Sequence, residues 1–180
     1  MKVCMIITNG FEEAETVATY AILRRGGLEV DLYSLRGQTA TGRFGLTCDK
    51  LKPFADFSDN EYAAIILPGG PQYKELENTP RLLQLLKDFH VRGKYVCAIC
   101  ASPTILGHLG LLRGKKYTCF TAMDEDFGGT YCDDYAVADG QIVTGKSAAA
   151  AIDFGFAILQ ALCGKETADK IKKDIYYKQA

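Results

Sequence analysis

The 180-residue chain has no long apolar run, no block of basic residues and only two histidines. Its apolar stretches are strand-sized, far short of the roughly 20 residues a membrane-crossing helix needs, so no membrane partner is expected. Lys and Arg total 21 against 22 Asp and Glu, a net charge of -1. With no basic patch interleaved with aromatics, nucleic acid is excluded as the main partner. There is no linker, repeat or low-complexity tract, and the length suits one domain over residues 1–180 with a sizeable core. The opening Met1–Thr8 is too short for a signal-peptide core and reads as a first strand. Without an export signal, the seven cysteines are expected to stay reduced in a cytoplasm, and their odd number and irregular spacing argue against a disulfide framework.

Other absences narrow the chemistry. Gly145-Lys146-Ser147 is only the tail of a phosphate loop, without the preceding glycine at the required spacing. Cys97 and Cys100 form a C-x-x-C, but no second cysteine or histidine pair has zinc-site spacing. Thioredoxin-type pairs also open a helix, whereas Cys97 lies inside an apolar strand and reads as core. No metal or organic cofactor is expected. His90 ends an apolar helix, and His108 lies about two helical turns beyond Cys100. Neither is placed as its base, so a Cys–His–Asp triad is poorly supported.

What is present is an alternation of strand and helix signals, the pattern of a doubly wound α/β domain with a mostly parallel sheet. Strands are expected at Val3–Thr8, Leu28–Ser34, Ala63–Leu67, Tyr95–Ile99 and Tyr117–Thr121. A hairpin is expected from Asp133–Val137 and Gln141–Thr144. Helices are expected at Glu13–Arg25, closed by Gly26-Gly27, then at Leu82–Val91, Pro103–Leu109, Ser147–Leu162 and Glu166–Lys173. Between Arg36 and Phe57 the spaced glycines and Pro53 suggest a β-hairpin excursion.

The chain is organised around Lys94-Tyr95-Val96-Cys97-Ala98-Ile99-Cys100-Ala101-Ser102-Pro103. A doubly buried strand ends at Cys100 and a helix opens at Pro103. Ala98 and Ser102, two residues to either side of Cys100, are small, as a sharp nucleophile elbow requires. A thiol there lies near a helix N-terminus, which favours thiolate; the alternative is a buried structural cysteine. Loops at the carboxyl ends of parallel strands share one edge. Four such loops carry small or polar residues: Asn9–Glu15, Pro68-Gly69-Gly70, Cys100-Ala101-Ser102 and Gly145-Lys146-Ser147. Gly69 and Gly70 can bring backbone N–H groups close to a developing oxyanion. Glu12, Glu13 and Glu15 open the first helix, where acids complement the dipole. One of the three could instead reach Cys100 as a desolvated, protonated acid, and the sequence does not say which.

Gly10-Phe11-Glu12-Glu13-Ala14-Glu15-Thr16, Leu67-Pro68-Gly69-Gly70, Ala98-Ile99-Cys100-Ala101-Ser102-Pro103 and Ala151-Ile152-Asp153-Phe154-Gly155 together resemble the ThiJ/PfpI family, on the branch of the parkinsonism-associated deglycase and bacterial YajL-like proteins. The resemblance spans essentially the whole chain. It implies a flavodoxin-like sandwich, class I glutamine amidotransferase-like, and a homodimer. Cys100 would be the reactive, oxidisable cysteine, Glu15 the acid at its sulfur, and Gly69, Gly70 and Ala101 the backbone donors. Arg24 and Arg25 match arginines at the end of the first helix, one of which relatives bring to the dimer interface near the cysteine. The implied activity is cofactor-free conversion of 2-oxoaldehydes, or repair of glycated protein or thiol, with redox-regulated chaperoning or sensing as the alternative. Ala101 stands where protease-like members have a histidine, which argues against peptidase or amidotransferase chemistry. Phe120 stands where the parkinsonism-associated deglycase has a histidine in the loop after the next strand, as in the YajL-like branch, which implies weak glyoxalase turnover.

Overall fold

The computed structural model describes residues 1–58 and 61–177. The alternating signals resolve into β1 (Lys2–Ile7), α1 (Glu13–Arg25), β2 (Glu29–Ser34), β3 (Ala40–Thr41), β4 (Thr47–Cys48), β5 (Lys52–Pro53), β6 (Tyr62–Leu67), α2 (Tyr73–Glu77), α3 (Pro80–Val91), β7 (Tyr95–Ile99), α4 (Pro103–His108), β8 (Lys116–Tyr117), β9 (Thr130–Tyr131), β10 (Ala136–Asp139), β11 (Ile142–Gly145), α5 (Ala151–Cys163) and α6 (Lys165–Asp174). The main sheet has the order β10-β11-β7-β6-β1-β2-β5, and every neighbour pair is parallel except β10 with β11. This is the expected flavodoxin-like, doubly wound arrangement.

The strands are apolar along their length because both faces are covered. Alternate side chains point to opposite faces. Val3, Met5, Ile7, Ile66, Cys97 and Ile99 meet Ile22 and Leu23 of α1, Phe154 and Ile158 of α5 and Ile171 of α6. Cys4, Ile6, Ile65, Leu67, Val96 and Ala98 meet Leu76 of α2, Leu82 and Leu86 of α3, and Ile105 and Leu106 of α4. From β1 the chain steps to β2 on one side and later to β6 on the other. The strand order therefore reverses beside β1, and the crevice at that reversal is where an open α/β sheet receives ligands.

Several elements differ from the sequence expectation. The strand expected at Tyr117–Thr121 stops at Tyr117, because the Thr118 N–H donates to Thr144 Oγ1 and the Phe120 N–H to the Cys100 carbonyl. The helix expected from Ser147 begins as a 3₁₀ turn over Ala148–Ala150 before α5. β10 lies later than the expected Asp133–Val137, and Asp133 is instead exposed and paired with Lys146. α2 and β9 were not expected. The hairpin of the 36–57 excursion is β3–β4, but β5 leaves it to join the main sheet beside β2. Pro53 is tolerated there because β5 is the edge strand.

Candidate active site

The end of β7 turns at Cys100 through a φ of 65°, a left-handed conformation that costs a non-glycine residue about 1–2 kcal/mol. Four hydrogen bonds hold the turn. The Cys100 N–H donates to the Gly145 carbonyl (3.0 Å), its carbonyl accepts from the Phe120 N–H (2.8 Å), and the Ser102 N–H returns to the Ile99 carbonyl (3.1 Å). The Ser102 hydroxyl donates to the Pro68 carbonyl at 2.7 Å. Ser102 is thus a brace between two loops as well as a small elbow residue. Cys100 stays half-buried at the crevice.

The three acids at the start of α1 separate into three roles. Glu12 caps the helix, its Oε2 accepting from the Glu15 N–H at 2.8 Å. Glu13 accepts from the Phe44 N–H at 2.7 Å and anchors the β3–β4 hairpin. Glu15 is fully buried, its Oε2 accepts from the Gly69 N–H at 2.8 Å, and its carboxyl is a hydrogen-bonding neighbour of the Cys100 thiol. Its Oε1 is buried without a hydrogen-bond partner. The approach is possible because position 69 lacks a side chain: a Cβ there would lie 2.5 Å from the Cys100 Cβ and 2.7 Å from Glu15 Oε2. Gly70, at a φ of 87°, faces Gly10 and Glu12 with no more room.

Burial pushes Glu15 up to about 7, against the weaker lowering by Cys100, the Gly69 N–H and the charge of Arg43. Burial, then the Glu15 charge, pushes Cys100 up to about 12, while N–H groups of Gly70 and Ala101 pull it down. The thiolate expected near a helix N-terminus is opposed here by burial and by the Glu15 carboxylate, which raise the thiol. Desolvation of the sulfur and the adjacent carboxylate outweigh the two donors. Thiol and carboxyl are a closely placed pair in which ionising one disfavours ionising the other.

Of the residues singled out in the sequence, the structure brings Cys100, Glu15, Gly69, Gly70 and Ala101 together. The Gly69 N–H is committed to Glu15, so the donors facing sulfur are those of Gly70 and Ala101. Arg24 and Arg25 are exposed at the far end of α1, nine and ten residues from Glu15 and so roughly 14 Å along the helix. Within this chain they do not join the site. Phe120 lies beside the elbow, half exposed. Arg43 was missed: it belongs to a hairpin remote in sequence, and only the docking of that hairpin on Glu13 and Phe11 brings its charge to Glu15. A concavity of about 790 Å³ elsewhere, against β10, α5 and α6, gathers Asp133, Asp153 and Lys172 but no cysteine or histidine. Among the described residues no group of three or more His, Cys, Asp or Glu side chains could hold a metal ion.

Residues 1–161 match the family described as DJ-1/PfpI. The chain belongs to the DJ-1/PfpI family. An uncharacterised protein of Methanocaldococcus jannaschii is 34% identical over 168 residues, covering 89% of this chain and 82% of that one. A protein of Pyrococcus horikoshii named a deglycase is 32% identical over 155 residues, covering 81% of this chain and 90% of its own. The solved structure of oxidised DJ-1 from Toxoplasma gondii superposes with a TM-score of 0.92 at 28% identity, covering 99% of both chains. No helix among the described residues is long and apolar enough to cross a membrane.

Proposed function

We propose that this DJ-1/PfpI protein is a cofactor-independent, cysteine-dependent enzyme acting on reactive 2-oxoaldehydes or their adducts with protein or thiol groups, of the glyoxalase III or deglycase type. The observation that carries the reading is the buried Cys100–Glu15 pair at the sheet's switch point, with the Gly70 and Ala101 N–H groups turned toward the sulfur. The family relatives named deglycases support the same class.

In this reading the Glu15 carboxylate takes the thiol proton as Cys100 sulfur bonds to the aldehyde carbon of methylglyoxal, while the Gly70 and Ala101 N–H groups hold the oxyanion. Protonation of that oxygen gives a hemithioacetal. Glu15 removes the proton from the former aldehyde carbon and returns one to the neighbouring carbon, which moves the oxidation level and leaves a thioester. Water cleaves the thioester, releasing lactate and restoring the thiol, so the net reaction is addition of one water to methylglyoxal. Loss of a second general acid–base group at Phe120 lowers such a rate by about a hundredfold or more, so turnover is weak. Gly69 acts by orienting Glu15. The reading includes a homodimer built partly on α1, supported by exposed Val17, Phe44 and Leu46 on α1 and the hairpin docked to it, with Arg24 and Arg25 reaching the partner. It also includes a reducing cytoplasmic setting, in which the seven free thiols persist.

A redox sensor or chaperone is the second reading. It is favoured by the donors gathered around the sulfur, which would stabilise an oxidised, oxygen-bearing side chain more than the neutral thiol. Two equivalents of peroxide would take the thiol through sulfenic to sulfinic acid with loss of two waters. A protonated Glu15 and the Gly70 and Ala101 donors would then meet the new oxygens.

The deciding experiment follows purified protein with methylglyoxal by NMR in buffer free of amines and thiols. Lactate formed slowly by the wild type and abolished in Cys100→Ser supports the enzyme. Lactate absent at high protein concentration, or formed equally by Cys100→Ser, overturns it. If peroxide then enhances suppression of client aggregation in the wild type alone, the sensor is the better account.

A further inference from the structure

We propose that His108 is a pH-sensitive clasp: doubly protonated, it ties α2 and the 121–127 segment to the end of α4, and so holds the chain leading from Phe120 against the Cys100 elbow. Nδ1 meets Glu77 at the end of α2, and Nε2 lies 3.2 Å from Glu125. Only the imidazolium can donate from both ring nitrogens; the neutral ring turns a lone pair toward one carboxylate. A third side of the ring meets Phe127 edge-on, with centroids 5.4 Å apart.

The segment has little else to hold it. Thr121, Ala122, Asp124, Glu125 and Asp126 are exposed, and Ala122 has a φ of 62°. Its anchors are partly buried Met123 on the core, buried Phe127, lying where a Cβ on Gly107 would be, and a 3.3 Å hydrogen bond from the Tyr117 hydroxyl to the Glu125 carbonyl. Its N-terminal end is the Phe120 N–H bonded to the Cys100 carbonyl, and the Met123 N–H returns to the Phe120 carbonyl. α2 begins just after Gly70, so both segments joined through His108 lead from the candidate active site. The ionisable groups facing the ring are Glu77 from α2 and Glu125 from the segment; the rest of α4, Pro103-Thr104-Ile105-Leu106-Gly107, brings none.

The neighbouring carboxylates, Glu77 first, raise His108 above its ordinary value. The clasp is therefore complete below the ordinary histidine value of about 6.5 and is lost as pH rises through the raised one. The groups are partly exposed, so salt weakens it. As a positioning residue His108 touches no reacting atom, and its bearing on Cys100 chemistry rests on the proposed function. The clasp itself is readable without turnover.

The test is a ¹H–¹³C NMR titration of the two histidines in the intact protein, with hydrogen exchange of residues 121–127 on both sides of the His108 midpoint, corrected for intrinsic rates. The expected midpoint lies above 6.5, and protection of 121–127 falls by about two- to fivefold across it, the scale of an exposed ion pair. In Glu125→Gln the midpoint moves down and the protection step shrinks; in His108→Gln the step is gone. A His108 midpoint at or below 6.5, or wild-type protection that does not change with pH, overturns the clasp even if neither variant folds. Lactate absent from the turnover assay leaves these results untouched, so the two readings fail separately.

Discussion

At the scale of single residues, the site turns on which carboxyl stands beside which sulfur. Because the folded Glu15 titrates near 7, above its ordinary value, its stability contribution is fully present below about 4.5 and is lost as pH rises through about 7. The shift corresponds to about 3 kcal/mol. Glu15→Gln removes that loss while keeping the shape and the acceptor for the Gly69 N–H. The variant is expected to unfold at a higher urea midpoint than wild type at pH 8, with the advantage largely gone at pH 4.5. Urea curves at the two pH values check this, and a variant less stable at pH 8 would show that Glu15 is ionised and well paired in the fold. The same change removes a repelling charge from Cys100, so ultraviolet titration should show thiolate forming at lower pH in the variant. An unchanged titration would mean that the two groups do not interact. Peptide mapping after mild peroxide tests the second reading: Cys100 modified before Cys48 or Cys132 would show that the donors around its sulfur outweigh its low thiolate fraction, and the reverse order would remove Cys100 as a sensor.

At the scale of elements, the site is a junction of loops, and the fit between them is tight. Gly69→Ala would place a methyl 2.5 Å from the Cys100 Cβ and 2.7 Å from Glu15 Oε2. Because β6, β7 and α1 are anchored in the core on both sides, the strain falls on the thiol–carboxyl contact. Loss of about 1–3 kcal/mol of stability is expected, as for overpacked sites, together with at least tenfold slower turnover. Thermal unfolding and the lactate assay measure the two effects; a variant as stable and active as wild type would show that the loop after β6 yields easily. Strand and helix cores were legible because their apolar residues repeat with the period of each element. The ends were less legible. β8 stops early because the Thr118 and Phe120 N–H groups find partners across the sheet and at the elbow, and no local pattern encodes partners so distant.

For the whole molecule, the exposed apolar residues Val17, Phe44 and Leu46 predict self-association on the side formed by α1 and the β3–β4 hairpin. Sedimentation at micromolar concentration should give twice the chain mass of 19.7 kDa. Phe44→Glu, at an exposed position whose backbone N–H donates to Glu13 and whose ring meets the adjacent Arg43 guanidinium, should shift the equilibrium toward monomer without lowering thermal stability of the chain itself. A wild-type monomer would remove the dimer from the proposed function and leave Arg24 and Arg25 without a site.

The sequence by itself determined the α/β class, the positions of the buried strands along the chain, the elbow at Cys100 and the glycine loop opposite it. Each is a local signal: a continuous apolar run, a small residue on either side of a turn, a Pro-Gly-Gly stop. Only the tertiary structure decided which of Glu12, Glu13 and Glu15 meets the sulfur, because all three open one helix and differ only in what packs on each side of it. It likewise assigned the Gly69 N–H to Glu15 and brought Arg43 within electrostatic reach. It also buried the Cys100 sulfur beside the Glu15 carboxyl, which raises the thiol despite the Gly70 and Ala101 donors. Desolvation depends on every atom that displaces water around a group, and those atoms come from β1, β6, β7 and the hairpin together.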